Sequence, residues 1–203
     1  MSLAAAKKRE YFNLPNYLTL GRVALIPLVM VLLAKISPER DDTYNLTMGL
    51  LASGVFILAG LSDLVDGYYA RKFKINSIFG KYFDPLADKL MVLTVMIMLI
   101  PMGRLPAWIV VLFLGRELAI TALRGIATAE GLELPADTWG KKKTALQNVA
   151  LVALMIHYSL WGMSGQRIGW IVLILALTVA LFSGGNYIYR FSQNILQKFS
   201  TNN

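Results

Sequence analysis

Residues 63–88 read DLVDGYYARKFKINSIFGKYFDPLAD, a charged, turn-forming stretch set between two apolar runs. Asp63 and Asp66 lie three apart and Asp84 and Asp88 four apart, so on helices each pair shares one face. Between the pairs, residues 71–81 are basic and carry Asn76, Ser77 and Gly80, which let the chain reverse. Two helices joined in this way can turn both acidic faces into a common cavity. Four of the chain's seven Asp fall within these 26 residues, at a spacing that a merely solvated charge cluster does not require.

Carboxylates gathered in a poorly hydrated place repel one another and tend to protonate unless cations offset them. Oxygen ligands alone select hard ions such as Mg²⁺ or Mn²⁺, and a chain with no Cys and a single histidine, His157, offers little for zinc. Two ions about 4 Å apart match four carboxylates and clamp the attacking and leaving oxygens of a phosphoryl group. Gly67 and Ala70, one and four residues past Asp66, leave the helix bare beside the acids, so a ligand can approach the backbone closely. Small residues also serve plain helix packing in membranes. Arg71 is placed to meet phosphate.

The surroundings of this stretch set the fold class. Of 203 residues, 56% are hydrophobic and 16% charged, whereas a soluble domain carries about 25% charged residues. With a mean hydropathy of +0.55, the bilayer is the expected solvent. Segments of about 20 apolar residues are needed to cross it. Six are expected, at 16–35, 45–69, 83–102, 106–126, 145–163 and 168–189, which makes an all-α integral membrane protein with its cavity on the cytoplasmic side. The length suits one catalytic domain over 16–192, preceded by a charged segment 1–15 and followed by a tail 193–203.

Lys7, Lys8 and Arg9 precede a first apolar run without a convincing cleavage site, so no removed signal peptide is expected. Twelve Lys and Arg fall on the two tails and the second and fourth loops, against four on the opposite side. That asymmetry places both termini in the cytoplasm and accounts for the net charge of +8 without nucleic acid as a partner.

Arg22, Lys89, Arg116 and Arg124 lie inside or at the edges of apolar runs, with Glu117 beside Arg116. An ionisable group at bilayer depth is costly and marks a ligand, a pathway or a pairing partner, unless it snorkels to the headgroups. Arg116 and Arg124, eight apart, share nearly one helix face. His157 reads as a buried structural residue in mid-span, and Trp108, Trp139, Trp161 and Trp170 as interfacial anchors. Ser183, Gly184, Gly185 and Asn186 read as a close helix-packing segment with no catalytic role.

Asp63-x-x-Asp66-Gly67-x-x-Ala70-Arg71, eight further residues, then Gly80-x-x-x-Asp84-x-x-x-Asp88 matches every fixed position of one signature. The chain resembles the CDP-alcohol phosphotransferase family. The resemblance implies that Asp63, Asp66 and Asp84 ligate metals and that Asp88 both ligates and acts as general base. It further implies that Gly67, Ala70 and Arg71, with Asp63, Asp66 and Gly80, hold the CDP moiety. Six transmembrane helices, a cytoplasm-facing site and homodimers are also family features.

Three further segments look like the phosphatidylglycerophosphate synthase branch of bacteria: residues 13–22, then Arg116, Glu117, Leu118, Thr121, Leu123 and Arg124, then Gly140 to Thr144 with Gln147. The likeness runs from Asn13 to Gln147 and fades in the last two spans. That branch implies CDP-diacylglycerol and sn-glycerol 3-phosphate as substrates, in a bacterial cytoplasmic membrane whose lipids surround the chain. A dianionic acceptor calls for fixed positive charge, which Arg116, Arg124, Lys141 and Lys143 can supply, the fourth loop folding back on the fourth span. The rival for the lysines is an ordinary topogenic loop. Rivals for the whole are a cardiolipin synthase of the same family, with phosphatidylglycerol as acceptor, a family member that uses another acceptor alcohol, and a divalent-cation transporter.

Overall fold

The computed structural model describes residues 14–73, 78–131, 138–160 and 162–201, with side chains described outside 14–18, 63–82, 138–139, 141, 160, 163 and 198–201. Among these residues there are six helices: α1 (Leu14–Ala34), α2 (Asp42–Phe73), α3 (Ile78–Leu99), α4 (Ala107–Ala129), α5 (Thr138–Ile156) and α6 (Gly165–Thr201). A two-residue ladder of β1 (Ser159–Leu160) and β2 (Met163–Ser164) joins the last two. The helices follow the apolar runs, and Pro106, extended at φ −78° and ψ 144°, marks the start of α4.

The fifth apolar run ends sooner than 145–163 suggests. His157 takes φ +63° and stops α5 at Ile156, because a left-handed residue cannot continue the hydrogen-bond ladder. Antiparallel pairing of Ser159 with Ser164 and Leu160 with Met163 follows, with Gly162 at φ +79° in the turn. His157 is therefore past a helix end and not in mid-span, and this short hairpin is the one departure from an all-α chain among the described residues. Lys141, Lys142 and Lys143 lie within α5 instead of in a loop, since lysine is a good helix former and no proline interrupts residues 138–156. At the other end, α6 runs on to Thr201.

The chain divides into two compact units. The first holds α1, α2 and α3 with Met155–Tyr158. Here α1 packs along both α2 and α3. Val29 and Leu33 of α1 are buried with Ala52, Phe56 and Ala59 of α2 and Met91, Val95 and Leu99 of α3. The buried Asn45 side chain accepts from the Ser37 amide and donates to the Ser37 and Arg40 carbonyls, which fixes the α1–α2 turn. Arg104, also buried, donates to the Met155 carbonyl at 2.6 Å and lies over the Tyr158 ring.

The second unit, Leu105–Leu154 with Ser159–Asn203, sets α4 along α6. Buried Leu173, Ala176, Leu177, Ala180, Ser183 and Tyr187 recur at helical spacing down α6. Gly169 lets α6 approach Leu154, since a Cβ there would lie 2.7 Å from the Leu154 Cγ.

Large apolar side chains on both units, including Leu58, Val111, Ile171 and Phe182, are more than half exposed, an arrangement that suits lipid and not water. Two stretches of the described residues, Asp42–Ser62 and Gly165–Gln197, are long and apolar enough to cross a membrane, and Thr19–Ala34 is a shorter apolar helix.

Two outcomes follow from the packing of the first unit. A Cβ on Gly49 would sit 2.5 Å from the Met155 carbonyl oxygen, a backbone atom that cannot swing aside. Gly49→Ala should therefore cost about 1–3 kcal/mol and lower the thermal midpoint in detergent. Gly54→Ala, with nothing within 4 Å, should leave the midpoint unchanged or raise it.

Burial first, and the Arg104 charge second, push the His157 pKa below its usual value, against an opposing pull from Asp42. The unfolded chain then binds the proton more readily than the folded one. Stability from this source is fully present above about pH 6.5 and is lost as pH falls toward the depressed folded value. His157→Asn tolerates the left-handed backbone and removes the proton site. Its thermal midpoint should drop less than that of the unaltered chain between about pH 7.5 and 5.5; equal drops would exclude His157 as a source of acid sensitivity.

Candidate active site

Asp63, Asp66, Gly67, Ala70 and Arg71 fall in the closing turns of α2, and Gly80 in the first turn of α3. Their side chains lie outside the described ones. Asp84 and Asp88 are described, one turn apart on α3 as the four-residue spacing requires. Both meet α1. Thr19 donates its hydroxyl to Asp84 Oδ1, and Arg22 Nη1 stands 3.6 Å from Asp88 Oδ1. Thr19 and Arg22, three apart on α1, thus form a polar strip against the acidic strip of α3.

Burial is unequal across that strip. The Arg22 side chain is 1% exposed and that of Asp88 is 45% exposed. A guanidinium removed from water needs a nearby negative charge, and Asp88 supplies it while keeping an accessible side. Sequence reasoning picked out Arg22 as an ionisable group in an apolar run and Thr19 only as part of the 13–22 likeness, and it missed the pairing of both with α3. The available signal was the three-residue spacing of Asn16, Thr19 and Arg22 in a largely apolar helix.

The donor set on α3 suits a hard divalent ion. Asp84 and Asp88 offer carboxylate oxygens on one helix face, and their orientation is fixed by partners on α1. Among the described residues there is no cluster of three or more His, Cys, Asp or Glu. Asp63 and Asp66, the other two members of the expected set, lie outside the side chains described. Lys89, next to Asp88, is exposed.

The second unit gathers part of the expected cationic set. Arg116 donates from Nε to the Ala180 carbonyl at 3.3 Å, from Nη2 to Ser183 Oγ at 3.0 Å and from Nη1 to Glu117 Oε2 at 3.3 Å. Lys143 Nζ donates to the same Glu117 oxygen at 2.8 Å. Arg116 and Lys143 are 11% and 7% exposed, so Glu117 joins two nearly buried cations from α4 and α5. Arg124 is exposed and stands outside this group, and the Lys141 side chain is not among those described. Sequence reasoning placed Glu117 beside Arg116 but gave it no role. It also read Ser183 as packing only.

The family model described as CDP-alcohol phosphatidyltransferase matches residues 12–182. That match continues past Gln147 into α6, further than the motifs alone carried the likeness. The chain is 39% identical over 193 residues to a protein of Bacillus subtilis (strain 168) named CDP-diacylglycerol–glycerol-3-phosphate 3-phosphatidyltransferase, covering 90% of this chain and 95% of that protein. Proteins of the same name from Rickettsia bellii and Pseudomonas fluorescens are 35% and 33% identical, over 86% and 87% of this chain and 93% and 88% of their own lengths. With a family model spanning most of its length and relatives aligned nearly end to end, the chain belongs to the CDP-alcohol phosphatidyltransferase family.

Proposed function

We propose that the chain transfers the phosphatidyl group of CDP-diacylglycerol to the 1-hydroxyl of sn-glycerol 3-phosphate, releasing CMP, as a six-span protein of a bacterial cytoplasmic membrane. The observation that carries the reading is the near full-length likeness to proteins named for this acceptor. Two nearly buried cations, Arg116 and Lys143, add a physical reason, because a dianionic acceptor needs fixed positive charge. Exposed apolar faces and the Lys and Arg asymmetry support the membrane placement.

In this reading Asp63, Asp66, Asp84 and Asp88 hold Mg²⁺ or Mn²⁺, whose charge, when bound, neutralises the pyrophosphate oxygens as CMP departs. Thr19 and Arg22 keep Asp84 and Asp88 in register. Gly67, Ala70, Arg71 and Gly80, with Asp63 and Asp66, receive the CDP moiety. Arg116, Arg124, Lys141 and Lys143 take the acceptor's phosphate.

Asp88 accepts the proton of the attacking hydroxyl. A bond forms between that oxygen and the phosphorus bearing diacylglycerol, and the bond from that phosphorus to the CMP oxygen breaks. Positioning and charge neutralisation supply the acceleration, without a covalent enzyme intermediate.

The test is CMP release by purified protein given CDP-diacylglycerol and Mg²⁺. Glycerol 3-phosphate should support turnover and a chelator should abolish it; turnover with phosphatidylglycerol or inositol instead would replace the acceptor. Asp88→Asn should lower turnover at least about 10²–10⁴-fold while CDP still binds, and near-normal turnover would remove Asp88 as the base. Thr19→Val leaves the α1 core intact but frees Asp84, so kcat should fall about 10–100-fold with an unchanged thermal midpoint.

A further inference from the structure

Arginine is a flexible side chain with about 2 kcal/mol of rotamer entropy, and it binds phosphate well only when its planar fork is already aimed. The α6 segment read from sequence as mere packing holds Arg116 at three points. The Ala180 carbonyl takes the Nε proton, and Ser183 Oγ takes one proton from Nη2 at 3.0 Å. The third point is steric. A Cβ on Gly184 would lie 3.3 Å from Arg116 Cγ and 3.7 Å from Nε, so the arginine stem lies against bare backbone. Gly185, the next residue, has nothing within 4 Å of its would-be Cβ. The two glycines, on different sides of the helix, are therefore not equivalent, and of the two only Gly184 faces Arg116.

On the opposite side, Glu117 Oε2 takes a proton from Nη1 at 3.3 Å and another from Lys143 at 2.8 Å. A guanidinium has five N–H donors, one on Nε and two on each terminal nitrogen. Among the described residues the protein uses one on each of the three nitrogens of Arg116, which leaves one on Nη1 and one on Nη2. A phosphate accepts two parallel bonds from such a pair.

We propose that Ser183 and Gly184 of α6 are positioning residues that aim the Arg116 guanidinium at the phosphate of the acceptor, and so set the affinity for a phosphorylated alcohol. The inference rests on the reading of Arg116 as an acceptor-phosphate ligand and assigns the residues that make it one. Ser183, 1% exposed, acts through Arg116 and not on the substrate. Glu117 ties Arg116 to Lys143 and compensates both cations while the acceptor is absent.

Steady-state kinetics of the full-length protein in mixed micelles, with acceptor and CDP-diacylglycerol varied separately, test the assignment. Ser183→Ala removes a hydrogen bond to a charged group and should raise KM for glycerol 3-phosphate about tenfold, leaving KM for CDP-diacylglycerol unchanged. Ser183→Thr, which restores the hydroxyl, should return it. Gly184→Ala should raise the acceptor KM and Gly185→Ala should not, a contrast that decides the matter even if Ser183→Ala fails to fold. Inorganic phosphate, used as a competitive inhibitor against glycerol 3-phosphate, should weaken in the same ratio.

Arg116→Lys separates the two levels of the argument. If it leaves the acceptor KM unchanged, Arg116 does not meet the acceptor phosphate and the underlying reading falls. If it raises that KM while Ser183→Ala and Gly184→Ala do not, the reading stands and the positioning role is overturned. A fall in kcat or thermal midpoint with neither KM moved would make both residues structural only.

Discussion

A guanidinium that is almost wholly buried must have a negative partner within reach, and for Arg22 that partner is Asp88 on the neighbouring helix. This constraint fixes how α1 rotates against α3. Once Arg22 faces Asp88, Thr19, one turn earlier, faces Asp84. The apolar residues then fall into place, with Val29 and Leu33 directed into the core of the first unit. A rotation of α1 that served those side chains alone would strand the arginine at a cost of several kcal/mol.

The second unit solves a like problem with the signs arranged the same way. Arg116 and Lys143 are its nearly buried cations, and Glu117 is the acid between them. In both units the carboxylate is the more exposed member, at 45% for Asp88 and 30% for Glu117. The cations are thus built into the protein while the acids keep an accessible side. For Asp88 that suits the proposed roles of metal ligand and proton acceptor. For Glu117 it suits a counter-ion that a phosphate can relieve of its cations.

Much of this arrangement is written in local sequence. The spacing of Asp84 and Asp88 fixes a shared face once the segment is helical, and apolar runs broken by charge and Gly fix the six helices among the described residues. What local sequence does not carry is pairing at a distance. Thr19 meets Asp84 across 65 positions, and Arg116 meets Ser183 across 67, and although spacing marks the polar face of α1, no short-range pattern names either partner. Helix ends are similarly obscure: the left-handed His157 ends α5 inside an apolar run, and three lysines that look like a loop belong to the helix. Ser183 and Gly184 read as packing because small residues pack membrane helices, and nothing local in the sequence puts the Arg116 stem against Gly184.

In the proposed function Asp63, Asp66, Asp84 and Asp88 together hold a hard divalent cation. The most direct measurement is Mn²⁺ binding to the purified full-length protein in detergent, followed by the electron paramagnetic resonance signal of the free ion. Such a site should bind Mn²⁺ that Mg²⁺ displaces and that either Asp66→Asn or Asp84→Asn releases. Mn²⁺ binding that is unchanged in both variants, or absent from the unaltered protein, would contradict it.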